Sequence, residues 1–278
     1  RNLIMRTFCI AGLLLAFSLG LFAQKATVVS PNRKISIELF NAQNAENGEW
    51  YLKVNYSNQE QKCEVIPQIK LGLARADQDF SNGLKFLKAS KPLVIHEKYA
   101  AIHGKKSECS NQANEVVVSF ENQKKSKLNI IIRAYNDGVA FRYQFPEKGG
   151  SFVVNDELTA YCITDSTKRW LEKFNPANEG LYSSAKDGNV QQDWGYPALF
   201  NTPDKGCWYL IHEADLDRNY CGTKLSNTAD KSSYKLTFPD QWNGRGLGES
   251  KPTITLPWKS PWRVVIIGSL ADIVESTL

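Results

Sequence analysis

The residues best suited to chemistry gather at the end of one apolar run. Cys207-Trp208-Tyr209-Leu210-Ile211 leads straight into His212, Glu213, Asp215 and Asp217, with Arg218, Asn219 and Tyr220 just behind. Alternation along an extended chain puts Trp208, Leu210 and His212 on one face and Tyr209, Ile211 and Glu213 on the other, so His212 and Glu213 do not act as a pair. His212 reads as a polar strand residue with a hydrogen-bonded ring. A carboxylate at the end of an apolar strand has to be solvated or paired, which tips Glu213 towards function. Asp215 and Asp217 flank Leu216 and read as a solvated turn.

The elements that must carry this strand exit are strands. Ile35, Ile37 and Leu39 alternate with Ser36 and Glu38, and Trp50, Leu52, Val54 and Tyr56 alternate with Tyr51, Lys53 and Asn55, the period of half-buried strands. The polar segment between them makes the two an antiparallel pair. Leu128, Ile130, Ile132 and Ala134 alternate in one run and Val139, Phe141, Tyr143 and Phe145 in the next. Asn136-Asp137-Gly138 lies between, and Asp-Gly predicts a hairpin turn with positive φ angles. Further strands are expected within 90–104, at Glu115–Phe120, over Phe152–Thr164, at Lys168–Lys173, Tyr234–Phe238 and Ser260–Gly268. Phe174–Phe200 is a polar stretch with Tyr182, Trp194 and Tyr196 interleaved; it reads equally as a functional loop or as an insertion packed by its own aromatics. Gly244, Gly246 and Gly248 lack the strand before and the helix after that a dinucleotide fingerprint needs. Few amphipathic helical runs exist, so the class is all-β, a large antiparallel sandwich.

The 278 residues are 42% hydrophobic and 23% charged, enough to bury a core in one large domain or two small ones. The net charge of +5 is scattered, with no basic block, which argues against nucleic-acid binding. Met5, Arg6 and the apolar run Phe8–Phe22 ending at Ala23 have the layout of a secretory signal, and the residues before Met5 read as upstream read-through. The run is too short to span a bilayer comfortably, and no cysteine stands at its cleavage point, so no stable membrane anchor is expected and the protein is expected to be exported, to the periplasm. Cys63, Cys109, Cys162, Cys207 and Cys221 follow the signal. Their odd number cannot all pair, and buried thiols are favoured, with a Cys207–Cys221 bridge across the exit loop left open.

Three motifs carry a resemblance. Arg133-Ala134-Tyr135-Asn136-Asp137-Gly138-Val139-Ala140-Phe141-Arg142-Tyr143, the run Tyr209–Leu216, and Ser260-Pro261-Trp262-Arg263 with Asp272-Ile273-Val274-Glu275-Ser276 resemble the N-terminal domain of glycoside hydrolase family 97, which contains α-glucosidases and α-galactosidases of Bacteroidetes. The resemblance covers nearly the whole chain after the signal. It implies a β-super-sandwich similar to galactose mutarotase over 24–268, preceding a catalytic (β/α)8 barrel, with 269–278 as the start of a linker. It further implies that the catalytic acid and its base or nucleophile lie outside this chain, and that the chain alone is inactive. Glu213-Ala214 looks like the motif through which this domain gives one glutamate to an active-site calcium in calcium-dependent members. Calcium takes six to eight oxygens, so the remaining ligands must come from the barrel. Arg218 and Asn219 are candidates to reach a sugar hydroxyl of an oligosaccharide or α-glycoside substrate at the domain junction. The flat face of Trp194 suits sugar stacking.

A reading from another class stays beside this one: an exported β-sandwich that binds glycans or a partner without catalysis, since sandwiches serve many such roles. Glucoside against galactoside preference, and inversion against retention, depend on residues outside the chain.

Overall fold

The computed structural model describes residues 23–42, 49–58, 62–102, 104–203, 206–243, 246 and 249–278. The segment read as a signal, residues 1–22, lies outside these, as do Gly244 and Gly248 of the glycine-rich loop. Among the described residues no helix is long and apolar enough to cross a membrane.

Two large sheets face one another. One runs Ala23–Val29, Ile35–Asn41, Trp50–Ser57, Lys62–Lys70, Ala160–Cys162, Ser233–Thr237, Lys224–Ser226 and Asp193–Trp194. The other runs Tyr182–Ala185, Lys168–Glu172, Ala198–Asn201, Trp208–Ala214, Trp262–Gly268, Gly138–Phe145, Lys127–Tyr135, Glu108–Glu121 and Lys85–Ala89, with Trp258–Lys259 added on Gly138–Phe145 and Leu93–Ala100 on Glu108–Glu121. A small third sheet joins Thr253–Thr255, Ser151–Glu157 and Leu73–Arg75. Neighbouring strands pair antiparallel, and the expected all-β sandwich is the observed class.

Alternation explains the core. Ile35, Ile37, Leu39, Leu52 and Val54 from the first sheet meet Ile130, Ile132, Phe141, Tyr143, Tyr209, Ile211, Val265 and Ile267 from the second, all essentially without solvent exposure. The second sheet is also covered on its other face, where Ile131, Tyr135, Ala140, Trp262, Val264 and Ile266 form a smaller cluster with Ile273. Strand Trp262–Gly268 is therefore buried along its whole length, which is why its sequence is apolar except at Arg263.

The hairpin falls where the alternation puts it, with Tyr135 opposite Gly138. Its turn differs from expectation: none of Asn136, Asp137 and Gly138 has a positive φ. Gly138 is needed for another reason, because a Cβ there would stand 2.5 Å from the Val265 carbonyl oxygen of the adjacent strand. The two turn residues serve as anchors instead. The Asn136 side chain accepts from the Asn32 amide at 2.9 Å, and the Asp137 carboxylate accepts from the Ser276 hydroxyl at 2.7 Å.

Residues 269–278, expected as the first turn of a helix or the start of a linker, include a short helix, Leu270–Glu275, that docks on the sheet. Ser269 and Asp272 cap it reciprocally, and Ile273 sits in the smaller cluster. The stretch 174–200 resolves into three short strands, and Trp194 in it is 4% exposed. Tyr182 in the same stretch is exposed.

The described cysteines carry no disulfide. Cys207 and Cys221 flank the seven-residue strand Trp208–Ala214 at opposite ends, a span of about 20 Å at the rise of a strand. A bridge needs Cα atoms within about 7 Å, so the Cys207–Cys221 pairing is ruled out.

Candidate functional site

Strand Trp208–Ala214 lies beside Trp262–Gly268 with Glu213 directly opposite Arg263. Tyr209, Ile211 and Glu213 share the inner face with Arg263, Val265 and Ile267, so the apolar core continues to this point and then meets charge. His212 lies on the other face, as alternation requires; its Nδ1 is 3.2 Å from the Glu213 carbonyl oxygen. Burial holds the His212 ring below the usual imidazole pKa, so it is neutral at pH 7.

Arg263 is fully buried, and its guanidinium joins two carboxylates. Nε and Nη2 donate to Glu157 Oε1 and Oε2 at 2.8 and 2.6 Å, a bidentate pair, while Nη1 donates to Glu213 Oε2 at 2.7 Å. Glu157 is itself fully buried and also accepts from Tyr220 Oη at 2.6 Å and Thr159 Oγ1 at 3.0 Å. The Thr159 hydroxyl meets that of Tyr143 at 2.9 Å. Glu213 accepts from the Thr223 backbone N–H through Oε1 at 2.8 Å and from the Thr223 hydroxyl through Oε2 at 2.7 Å.

Burial alone would lower Arg263, but the charge and hydrogen bonds of Glu157, with Tyr220 and Glu213 added, hold it well above its usual value. Glu213 moves the other way for a carboxylate in such company. Its burial raises the pKa by more than Arg263 and Thr223 lower it. With both carboxylates ionised, two negative groups share one buried cation, and the cluster carries a formal charge of −1 in a place where uncompensated charge is expensive.

A carboxylate offers about four acceptor positions. Arg263 and the two Thr223 donors occupy three on Glu213, two at Oε2 and one at Oε1. One position at Oε1 is left, on a side chain 9% exposed. That suits a single monodentate bond to a hard cation whose other oxygens come from elsewhere. No group of three or more His, Cys, Asp or Glu able to hold a metal occurs among the described residues.

Past Glu213 the chain turns sharply. Asp215 adopts φ +60, a left-handed conformation that Asp tolerates better than most residues, and its carboxylate accepts from Arg142 Nη1 at 2.9 Å. The Arg142 guanidinium lies 4.0 Å above the Trp262 ring, and burial pulls its pKa down against the pull of Asp215. Arg142, Gln144, Asp215, Asp217, Asn219 and Lys259 border an open cleft of about 500 Å³ floored by Pro257 and Trp258. Glu213 does not line it, because its side chain points to the inner face.

The candidates of the sequence therefore separate. Glu213 sits in the buried cluster, Asn219 on the cleft with its amide bonded to Asp217, and Arg218 is exposed beyond it. Trp194 is a correction: its indole is in the main core and donates to Asn227 Oδ1 at 2.9 Å, so it presents no face to a sugar. Arg263, which holds Glu213, and Glu157, which holds Arg263, are not among the site residues the sequence points to. The one signal for them was charge placed in or beside apolar strand runs, Arg263 after Pro261-Trp262 and Glu157 after Phe152-Val153-Val154.

Comparison with known proteins places this geometry in a context. The family model for the glycosyl-hydrolase 97 N-terminal domain matches residues 28–278. A probable retaining alpha-galactosidase from Streptomyces bingchenggensis (strain BCW-1) is 27% identical over 214 residues, 77% of this chain and 32% of that protein. Among solved structures, a beta-arabinopyranosidase superposes with TM-score 0.80 and 27% identity over 91% of this chain and 42% of its own. A glycoside hydrolase family 97 enzyme from Pseudoalteromonas sp. strain K8, in complex with acarbose, superposes with TM-score 0.72 at 22% identity over 91% of this chain and 37% of its own, a likeness of fold. The chain thus spans about a third to two fifths of the length of these relatives.

Proposed function

This chain belongs to the glycosyl-hydrolase 97 family, whose N-terminal domain it contains, and from that membership we propose that it serves an exported, calcium-dependent α-glycoside hydrolase, an α-glucosidase or α-galactosidase, as the domain that lends one carboxylate to the active site. Its relatives are glycoside hydrolases, one of them named for retaining galactosidase activity and another solved with acarbose. In this reading the catalytic acid and its base or nucleophile come from a barrel domain outside residues 1–278, and an oligosaccharide or α-glycoside is the substrate. The secretory layout of residues 5–23 supports export.

One observation carries the assignment: Glu213 shares its buried cation with Glu157 and keeps a single acceptor position at the strand exit. A surplus negative charge at that point favours a bound cation. Arg263 and Thr223 fix the Glu213 carboxylate in one orientation, so no side-chain freedom is lost when it ligates. When bound, calcium would supply charge stabilisation at the reacting bond. Asn219 and Arg218, on and beyond the cleft, are the proposed contacts to sugar hydroxyls.

In the full-length enzyme, Glu213→Gln is expected to lower turnover of an aryl α-glycoside by about a hundredfold or more, the scale of several kcal/mol of metal-assisted stabilisation, and to raise the calcium concentration needed for half-activation. Residues 24–278 alone should show no turnover in the same assay. Wild-type activity and wild-type calcium response in the variant would overturn the metal assignment; turnover by residues 24–278 would overturn the division of labour.

A further inference from the structure

The opposite end of the Glu213 strand holds a second arrangement that the hydrolase reading does not use. Cys207 stands immediately before Trp208–Ala214 in one large sheet, and Cys63 lies on Lys62–Lys70 in the other. The Thr202 hydroxyl touches both, at 3.3 Å from Cys63 Sγ and accepting from the Cys207 N–H at 3.1 Å. The neighbouring Cys63 thiol, with burial, holds the Cys207 thiol well above its usual value. Cys207 is 1% exposed, whereas Cys63 is half-buried. The other described thiols point elsewhere: Cys109 donates to the Lys106 carbonyl at 3.8 Å, Cys162 to the Gln68 amide oxygen at 3.7 Å, and Cys221 lies at the far end of the strand.

We propose that Cys63 and Cys207 form a disulfide that staples the two sheets of the sandwich together when the protein meets an oxidising thiol–disulfide partner. The half-buried Cys63 sulfur attacks one sulfur of the partner's disulfide, giving a mixed disulfide and releasing one partner thiol. Cys207 sulfur then attacks Cys63 sulfur and releases the second partner thiol. The two thiol protons of the pair end on the two released thiols, and the two electrons pass from the cysteine pair to the partner's disulfide. The Cys63 thiol and burial hold the Cys207 thiol high while both are reduced, and the first of these restraints disappears once Cys63 is capped.

The cross-link joins strands distant in the chain and restricts the unfolded state, so its effect on stability is large. The test uses the full-length protein, held reduced with dithiothreitol or equilibrated with oxidised glutathione, then alkylated and digested without reduction. The expected result is a Cys63–Cys207 linked peptide in the oxidised sample alone, with Cys109, Cys162 and Cys221 alkylated. The oxidised protein should melt about 5–15 °C above the reduced one. Cys63→Ala should remove that shift, and Cys109→Ser should keep it. The peptide map of the wild-type protein decides the matter even where a variant does not fold. Alkylation of both Cys63 and Cys207 after oxidation, glutathione on Cys63 with Cys207 still reduced, or linkage to a different cysteine would each overturn the proposal.

Discussion

Arg169 and Arg263 are both buried in the sandwich, at 1% and 0% exposure, yet they are satisfied in different ways. Arg169 donates to the carbonyl oxygens of Thr164, Asp165 and Thr167 and to the Tyr234 hydroxyl at 2.7 Å, and the described residues give it no carboxylate. Through Tyr234 it continues to Asn227, and Asn227 accepts from the Trp194 indole. Every acceptor there is neutral, and the network closes a set of loops. Arg263 has two carboxylates and little else. A buried arginine is therefore not itself a sign of function. What distinguishes the two is the surplus: neutral dipoles around one cation leave nothing for a ligand, whereas two carboxylates around one cation leave a negative charge to be matched.

The contrast breaks most visibly on removing each cation. Arg263→Met leaves two carboxylates buried without a cationic partner and is expected to lower stability by about 3–5 kcal/mol in urea unfolding. Arg169→Met leaves only carbonyls and a hydroxyl unsatisfied, for a loss of about 1–3 kcal/mol. Equal losses would erase the distinction. Glu213→Gln sharpens it from the other side. The amide oxygen still accepts from Arg263, Glu157 still pairs with it, and the surplus charge is gone, but the amide NH2 faces the Thr223 N–H that donated to Oε1, so stability is expected to fall by no more than about 1–3 kcal/mol while activity falls. A larger loss would make Glu213 a structural residue.

The smallest effect lies on the Arg169 side, where Asp193 pairs with Lys224 at 2.7 Å. Burial pushes the Asp193 carboxyl up, but hydrogen bonds from Lys224 and Ser226 outweigh it and hold the group below its ordinary value of 3.8. A depressed folded-state pKa contributes stability that is present above 3.8 and lost as pH falls through the folded value. Asp193→Asn should therefore cost a few tenths of a kcal/mol at pH 7, after solvent screening of a partly exposed pair, and progressively less as pH falls below 3.8. A difference that grew on acidification would have the wrong sign.

The strands were legible because alternation is local. Ile35–Leu39, Trp50–Tyr56 and the hairpin around Asn136-Asp137 each declare two faces within a few residues, and each face is where it should be. The site was legible only in part because its contacts are not local. Glu213 drew notice as charge following an apolar run, but Arg263 is 50 positions away from it and Glu157 is 106 from Arg263. No window on the chain contains them together. Trp194 misled for the same reason: an indole in a polar stretch looks exposed until Asn227, 33 positions on, supplies its acceptor. Gly138 was assigned the right residue type for a turn and the wrong cause, since the requirement comes from Val265 on a neighbouring strand.

Strand Trp262–Gly268 is bonded along both edges, to Trp208–Ala214 and to Gly138–Phe145, and covered on both faces. Its amides have no local opening through which to meet solvent, so their protons leave only when the whole sandwich opens, and they report its global stability. Arg263 rides on this slowest-exchanging segment, while Thr223 reaches Glu213 from the connection between two strands. The carboxylate at the exit is thus referenced on one side to the most permanent part of the molecule.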